Sequence, residues 1–302
     1  MIESISFLNL LQLITHLKSI FLNLNFDIKY MTTIPAYDPT LFEGAAWYYA
    51  RYRPQYPPVL FDLLTDKFQL DGQGRLLDLG CGAGLIAIPL RDQFKEVIGL
   101  DPDADMLLEA QRQAAEVGAT NISWVKDRAE NISLAVGKFQ LVTIGRAFHW
   151  MQRELVIDHI YNLLSNNGGL AIIKTYEDPW NSEHPWKQTA ISIVQRWLGE
   201  KRRTGQGGQG EWQPLAIPHE EIIEKSSFSR QANYEVKYEK SWTIDSYIGY
   251  LYSTAFCLPS FFGNAENRKK FEADLRESLL KVEPSGRFTE ELPITVIAAW
   301  KN

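Results

Sequence analysis

The chain has little of what would hold a small extracellular domain together. Its 302 residues include two cysteines, Cys81 and Cys257. That excludes a disulfide scaffold, and it leaves no Cys–His spacing for a structural zinc. The five histidines (His16, His149, His159, His184, His219) contain no H-x-x-x-H pair, so a helix-borne metalloprotease site has no ligand set and no metal is expected. Basic residues do not exceed acidic ones: 31 against 37, a net charge of −6. Nucleic acid is therefore not expected as the principal partner. Long apolar runs are scarce too. Ile2 to His16 is apolar but broken by Asn9, Gln12 and Thr15. It is too short to cross a bilayer and has no basic leader of the signal-peptide kind. Residues 1–30 are read as an N-terminal extension outside the functional core, and the expected setting is a reducing cytoplasm without membrane attachment.

What is present is a 45% apolar, 23% charged composition, ordinary for a globular chain long enough to bury a substantial core. The most informative stretch is Leu76-Leu77-Asp78-Leu79-Gly80-Cys81-Gly82-Ala83-Gly84. An apolar run closes on an acid and reads as a short buried strand. Glycines at every second position then form a turn that lets backbone approach a ligand, having no Cβ to clash. Leu85 to Phe94 continues with helical apolar spacing. Strand, glycine turn and helix make the nucleotide-cradling unit of doubly wound folds.

The frame of the glycines chooses among nucleotides. The dinucleotide pattern G-x-G-x-x-G/A can be laid on Gly82-Ala83-Gly84-Leu85-Ile86-Ala87, but its first glycine then falls late in the turn. D-x-G-x-G-x-G from Asp78 fits better. An acid there suits a ligand carrying an ammonium group and repels a pyrophosphate. Val97-Ile98-Gly99-Leu100-Asp101 is a second apolar run ending in an acid. Asp101 is placed to meet ribose hydroxyls, since a carboxylate accepts two hydrogen bonds from a diol. Asp103 is the better cap for the helix expected from Asp103 to Val117.

The D-x-G-x-G-x-G frame resembles the first motif of the class I S-adenosylmethionine-dependent methyltransferases. The resemblance implies S-adenosylmethionine as cofactor, with Asp78, Gly80, Cys81, Gly82, Gly84 and Asp101 around it. It puts Pro102 and Met106 at the adenine pocket, together with Arg128-Ala129-Glu130, where Asp127 replaces the family's glycine. Gly145-Arg146-Ala147-Phe148-His149-Trp150 follows the fourth strand and falls beside the reactive methyl. Gly145, Arg146 and Phe148 are expected at the cofactor, Phe148 offering an aromatic face to the sulfonium. Trp150 is expected at the acceptor, and His149 is the candidate general base, the alternative being a wall residue. Tyr49-Ala50-Arg51-Tyr52-Arg53-Pro54-Gln55-Tyr56-Pro57 resembles a segment of the small-molecule, trans-aconitate type of these enzymes. It implies that Arg53 clamps the methionine carboxylate bidentately, with Tyr52 at the cofactor and Tyr49 toward the acceptor. Trp180, Trp186 and Trp212 are candidates for the acceptor pocket.

Strand patterns at Arg75–Leu79, Val97–Leu100, Ile122–Val125, Leu141–Gly145 and Leu170–Thr175 alternate with helix patterns at Gly84–Phe94, Asp103–Val117 and Glu154–Leu164. Such alternation implies a mostly parallel sheet with helices on both faces. Asn166-Asn167-Gly168-Gly169 reads as the turn before the fifth strand. Helices are also expected at Ala45–Tyr52, Val59–Phe68, Pro185–Leu198, Ile244–Phe256 and Ala265–Leu280, with late strands at Ala232–Thr243 and Pro293–Trp300. The resemblance completes this as an α/β, doubly wound, Rossmann-like sheet of seven strands, with an antiparallel edge strand and a helical cap insertion. The expected divisions are 1–30 extension, 31–176 cofactor-binding core, 177–231 cap insertion, and 232–302 final strands with a helical insertion. The implied reaction is in-line methyl transfer to a small-molecule acceptor by a monomer or homodimer. Two rivals remain at this point: an NAD-linked oxidoreductase, which nicotinamide-dependent turnover would reveal, and an inactive cofactor-binding module, which would bind without transfer.

Overall fold

Seven strands form one sheet in the order β3-β2-β1-β4-β5-β7-β6. The structure is a computed structural model describing residues 41–175, 179–201 and 215–302. The expectations for residues 1–30 and for Trp212 lie outside them. In chain order the elements are α1 (Ala46–Tyr52), α2 (Pro58–Phe68), β1 (Arg75–Leu79), α3 (Ala87–Leu90), β2 (Glu96–Asp101), α4 (Ala104–Glu116), β3 (Ile122–Lys126), β4 (Phe139–Gly145), α5 (Arg153–Leu163), β5 (Leu164–Thr175), α6 (Pro185–Leu198), α7 (His219–Glu224), β6 (Arg230–Thr243), α8 (Ile244–Tyr252), α9 (Ala265–Val282) and β7 (Arg287–Trp300).

The first five strands are parallel, and β7 runs antiparallel to both β5 and β6. The reversed strand thus lies just inside the edge, which β6 forms. Side chains alternate across the sheet. Leu77, Leu79, Val142, Ile144, Leu170 and Ile172 join α5 in one apolar layer. Leu76, Leu141, Ala171, Ile173 and Val296 join α2 in the other. Each leucine so buried contributes about 1.5–3 kcal/mol. Both faces being covered is what makes the strands read as near-continuous apolar runs.

A third apolar cluster lies outside the two sheet layers. Helices α6, α8 and α9 pack around Trp186, Val194, Tyr247, Leu251 and Phe271, so the insertions before and after β6 build one cap. Inside it Lys187 Nζ donates to Glu290, whose other oxygen accepts from Trp242 Nε1 at 2.7 Å. Among the described residues, no helix is long and apolar enough to cross a membrane, and no cluster of metal-ligating side chains is found. Cys81 and Cys257 are buried, unbridged thiols.

Two elements depart from expectation for local reasons. The helix read over Gly84–Phe94 is a short α3 followed by a 3-10 turn at Arg91–Gln93. Gly84 is left-handed at φ +81°, which keeps the helix from starting there, and Pro89 removes an amide donor. The turn before the fifth strand is embedded in β5. The register against β4 shifts between Phe139↔Leu164 and Leu141↔Gly169, with Asn167 left-handed at φ +61°, a conformation asparagine tolerates.

Candidate functional site

The glycine turn follows β1 at the carboxyl ends of the strands, where ligands of doubly wound sheets bind. Its start is pinned to the neighbouring strand: Gly80 N and Cys81 N both donate to Leu100 O, at 2.8 and 3.1 Å. Gly84 N donates to Cys81 O at 2.9 Å, and Gln113 Nε2 of α4 donates to Ala83 O at 2.9 Å. The three glycines have different jobs. A Cβ on Gly80 would lie 2.5 Å from Ala147 Cβ, and one on Gly84 would lie 2.9 Å from the Trp124 ring. Those two allow close packing. At Gly82 (φ +51°) the nearest neighbour would be the Tyr49 ring at 3.6 Å, so this backbone faces the cleft.

Asp101 ends β2 and ties the turn to the next helix. One carboxylate oxygen accepts from Gly82 N at 2.8 Å and the other from Asp103 N at 2.9 Å. Each oxygen keeps a second lone pair. Burial pushes this carboxyl up to about 6, against the pull of those two amides. Asp103 caps α4, accepting from Asp105 N at 2.9 Å and Met106 N at 3.1 Å. Pro102 is half-buried and Met106 buried beside it.

Asp78 sits deeper than a strand-end acid. It is 1% exposed, accepts from Thr143 Oγ1 at 2.8 Å and from Ala87 N at 3.2 Å, and so joins β1 to β4 and to the start of α3. Burial raises it to about 7, with the Asp101 charge adding to the rise. Both acids thus ionise at a higher pH than a solvated carboxyl does, and a nearby positive charge would lower both. Burial and the same two acids raise the Cys81 thiol well above its usual range, which makes it inert packing rather than a nucleophile.

The opposite wall comes from the segments before β1 and after β4. Tyr49, Tyr56, Gly145 and Arg146 line the cleft together with Gly80 and Cys81. Arg146 is left-handed at φ +54°; its NH1 donates to Pro54 O at 3.1 Å, and its guanidinium lies 4.5 Å from the Tyr56 ring centre. A Cβ on Gly145 would lie 2.7 Å from the Tyr56 hydroxyl. Arg53 lies between Tyr49 (5.6 Å) and Tyr250 (5.4 Å).

Residues 76–168 match the family model described as a methyltransferase domain. A Schizosaccharomyces pombe protein named as an uncharacterized methyltransferase is 30% identical over 152 residues, covering 50% of this chain and 57% of that one. A Saccharomyces cerevisiae protein named as an S-adenosylmethionine-dependent methyltransferase is 30% identical over 132 residues, covering 43% and 44%. Residues 76–168 thus form a methyltransferase domain, and the chain is similar to proteins named as S-adenosylmethionine-dependent methyltransferases. The matches span about half the length of both relatives. The fold is that of a solved Anaeromyxobacter dehalogenans protein named as a type II methyltransferase, at 17% identity and a TM-score of 0.54, covering 83% of this chain and 98% of that one.

Other expected site residues are placed differently. Phe148 is fully buried against His219, ring centres 4.8 Å apart, in the core layer rather than at the cleft. His219 is held near 4 by burial and by the Arg153 charge, so it is neutral. His149 and Trp150 are exposed, their ring centres 4.4 Å apart. Glu130 pairs with Arg128 at 3.2 Å and accepts from Gln152 N at 3.0 Å, ahead of α5, while Ala129 is buried. These contacts join the loops after β3 and β4. Tyr52 and Trp180 pack on the cap cluster, Trp180 edge-on to Phe256 at 4.4 Å. Trp186 is buried within that cluster, stacked on Phe288 at 4.8 Å.

Sequence reasoning did not single out Thr143, Gln113 or Tyr250. Thr143 was visible as the one hydroxyl in the apolar run Leu141-Val142-Thr143-Ile144. Gln113 and Tyr250 act across long separations, and nothing in their own segments marks them.

Proposed function

We propose that this chain transfers the methyl group of S-adenosylmethionine, by in-line displacement, to a small-molecule acceptor. The observation that carries the reading is the Asp101 carboxylate, fixed by Gly82 N and Asp103 N at the crossing of the glycine turn and β2. The group fits these residues: the Gly82 backbone faces the cleft with the Tyr49 ring across from it, and two buried acids supply negative charge for a cation. When bound, the cofactor supplies a methyl activated by a positively charged sulfur.

The remaining work falls to the chain's own groups. Asp101 accepts from the ribose diol, and its two backbone bonds hold it in the geometry that requires. Asp78 lends negative charge from below while Thr143 and Ala87 keep it in place. Arg53 supplies a guanidinium for the amino-acid carboxylate, and Tyr49 covers the turn against water. Arg146, at the end of β4, favours an anionic acceptor. Such an acceptor is already a nucleophile at neutral pH and needs no base, consistent with His149 lying exposed.

Two measurements test the reading. Calorimetric titration with S-adenosylmethionine and S-adenosylhomocysteine is expected to give one site each. A screen of small organic acids, read as S-adenosylhomocysteine release, is expected to find turnover that Arg146→Ala lowers. Absence of binding by both compounds overturns the proposal.

A further inference from the structure

Helix α1 touches both halves of the molecule. On one side Arg51 pairs with Glu109 of α4 at 3.1 Å, and Tyr49 faces the open side of Gly82. On the other side the Tyr52 ring lies flat on the backbone of Gly249, where a Cβ would come within 2.3 Å of its Cγ. Tyr48 packs edge-on to Tyr252, ring centres 5.1 Å apart. Just past the helix, the Arg53 guanidinium stands between the Tyr49 ring at the turn and the Tyr250 ring in the cap. Tyr250 is itself 4% exposed and packed on Trp242 at 5.2 Å.

These contacts are short-range and rigid. Flat packing of an aromatic ring on a helical glycine leaves no room for sliding without losing contact. A guanidinium held between two rings gains from both faces only while both rings stay in place. Anything that fixes Tyr49 over the turn therefore fixes Arg53, and through Arg53 and Tyr52 it fixes helix α8. From this we propose that α1 with Arg53 is a coupling joint by which occupation of the glycine turn orders the helical cap, with Tyr250 and Gly249 as its positioning residues.

The proposal rests on reading the glycine turn as the cofactor site. Coupling of this kind is an equilibrium quantity, typically five- to 150-fold between linked sites, and amide exchange reports it segment by segment. The full chain is followed by hydrogen exchange with and without saturating S-adenosylhomocysteine. In the wild type the ligand is expected to slow exchange in residues 80–84 and, by about tenfold, in residues 244–252. In Tyr250→Leu the slowing at 80–84 remains under saturating ligand and the slowing at 244–252 is lost. Tyr250→Phe, which keeps the ring, restores it. Gly249→Ala, which pushes Tyr52 off the helix, abolishes the cap response while leaving the cap core in place, and near-ultraviolet dichroism of its tryptophans checks that. Protection at 80–84 with no wild-type response at 244–252 overturns the joint and leaves the cofactor reading standing. A cap response that survives in both Tyr250→Leu and Gly249→Ala also overturns it. No protection at 80–84 overturns both.

Discussion

Replacing Asp78 by asparagine should make the unliganded protein more stable and the liganded one less well bound. Asp78 is buried and held near 7 rather than at its ordinary 3.8. Between about pH 4 and 7 the folded state therefore carries a proton that the unfolded state has lost, so stability falls as pH rises through that window. A rise of that size has a ceiling of about 4 kcal/mol, at about 1.36 kcal/mol for each pH unit. Asparagine keeps the shape: its oxygen accepts from Ala87 N, and its amide donates to the Thr143 hydroxyl. It has no proton to lose, so this component of the pH dependence disappears. Thermal unfolding of Asp78→Asn and wild type at pH 4, 6 and 8 should show a difference that is near zero at the acid end. It should grow to several degrees at pH 8, at about 2 °C or more per kcal/mol. The same substitution removes the charge that complements a sulfonium, so S-adenosylmethionine should lose more affinity than uncharged-sulfur S-adenosylhomocysteine. A stability difference that is flat with pH, or larger in acid, would show that Asp78 titrates normally and would refute the reasoning.

Asp101→Ala removes a charge-assisted acceptor from Gly82 and Asp103 as well as from the ribose; at about 1.5–3 kcal/mol per such bond, calorimetry should show at least a hundredfold weaker cofactor binding with the fold retained. Gly145→Ala puts a methyl 2.4 Å from Ile86 Cδ1 and 2.7 Å from the Tyr56 hydroxyl, an overpacking that should cost about 1–3 kcal/mol in urea unfolding; an unchanged midpoint would mean that the Tyr56 wall is soft. Lys187→Met leaves the buried Glu290 with Trp242 as its side-chain partner among the described residues, and breaking such a pair should cost about 3–5 kcal/mol, a loss the double variant Lys187→Met with Glu290→Gln should partly restore.

Much of the core was legible because its strands are buried on both faces and bounded by strong punctuation. β1 begins and ends where its apolar run does, and Asp103 caps α4 as its position implies. The final hairpin was legible only in part. β7 starts at Arg287 rather than Pro293, since its outer half pairs with β6 alone, from Pro293↔Lys237 to Arg287↔Thr243, beyond the last β5 pair at Ile294. An edge there tolerates proline and polar residues, so no apolar run announces it. At the site, the glycine frame and Asp101 were readable from spacing. The inward turn of Phe148 was not, because a single 3-10 turn at Phe148–Trp150 sends neighbouring aromatics in different directions, one to the core and one to solvent. The depth of Asp78 depends on Thr143, which lies 65 residues away.

The strand order carries a consequence for biosynthesis. β3, β2, β1 and β4 can pair with one another once residue 145 has been made, so that part of the sheet can assemble while the ribosome is still working. β5 and β6 cannot meet each other, because the strand that separates them is translated after both. Until Arg287–Trp300 emerges, one side of β5 and the inner side of β6 present bare hydrogen-bonding groups and apolar faces. The interval of greatest aggregation risk therefore runs from the synthesis of β5 to that of β7, and a chaperone acting on this nascent chain would act there.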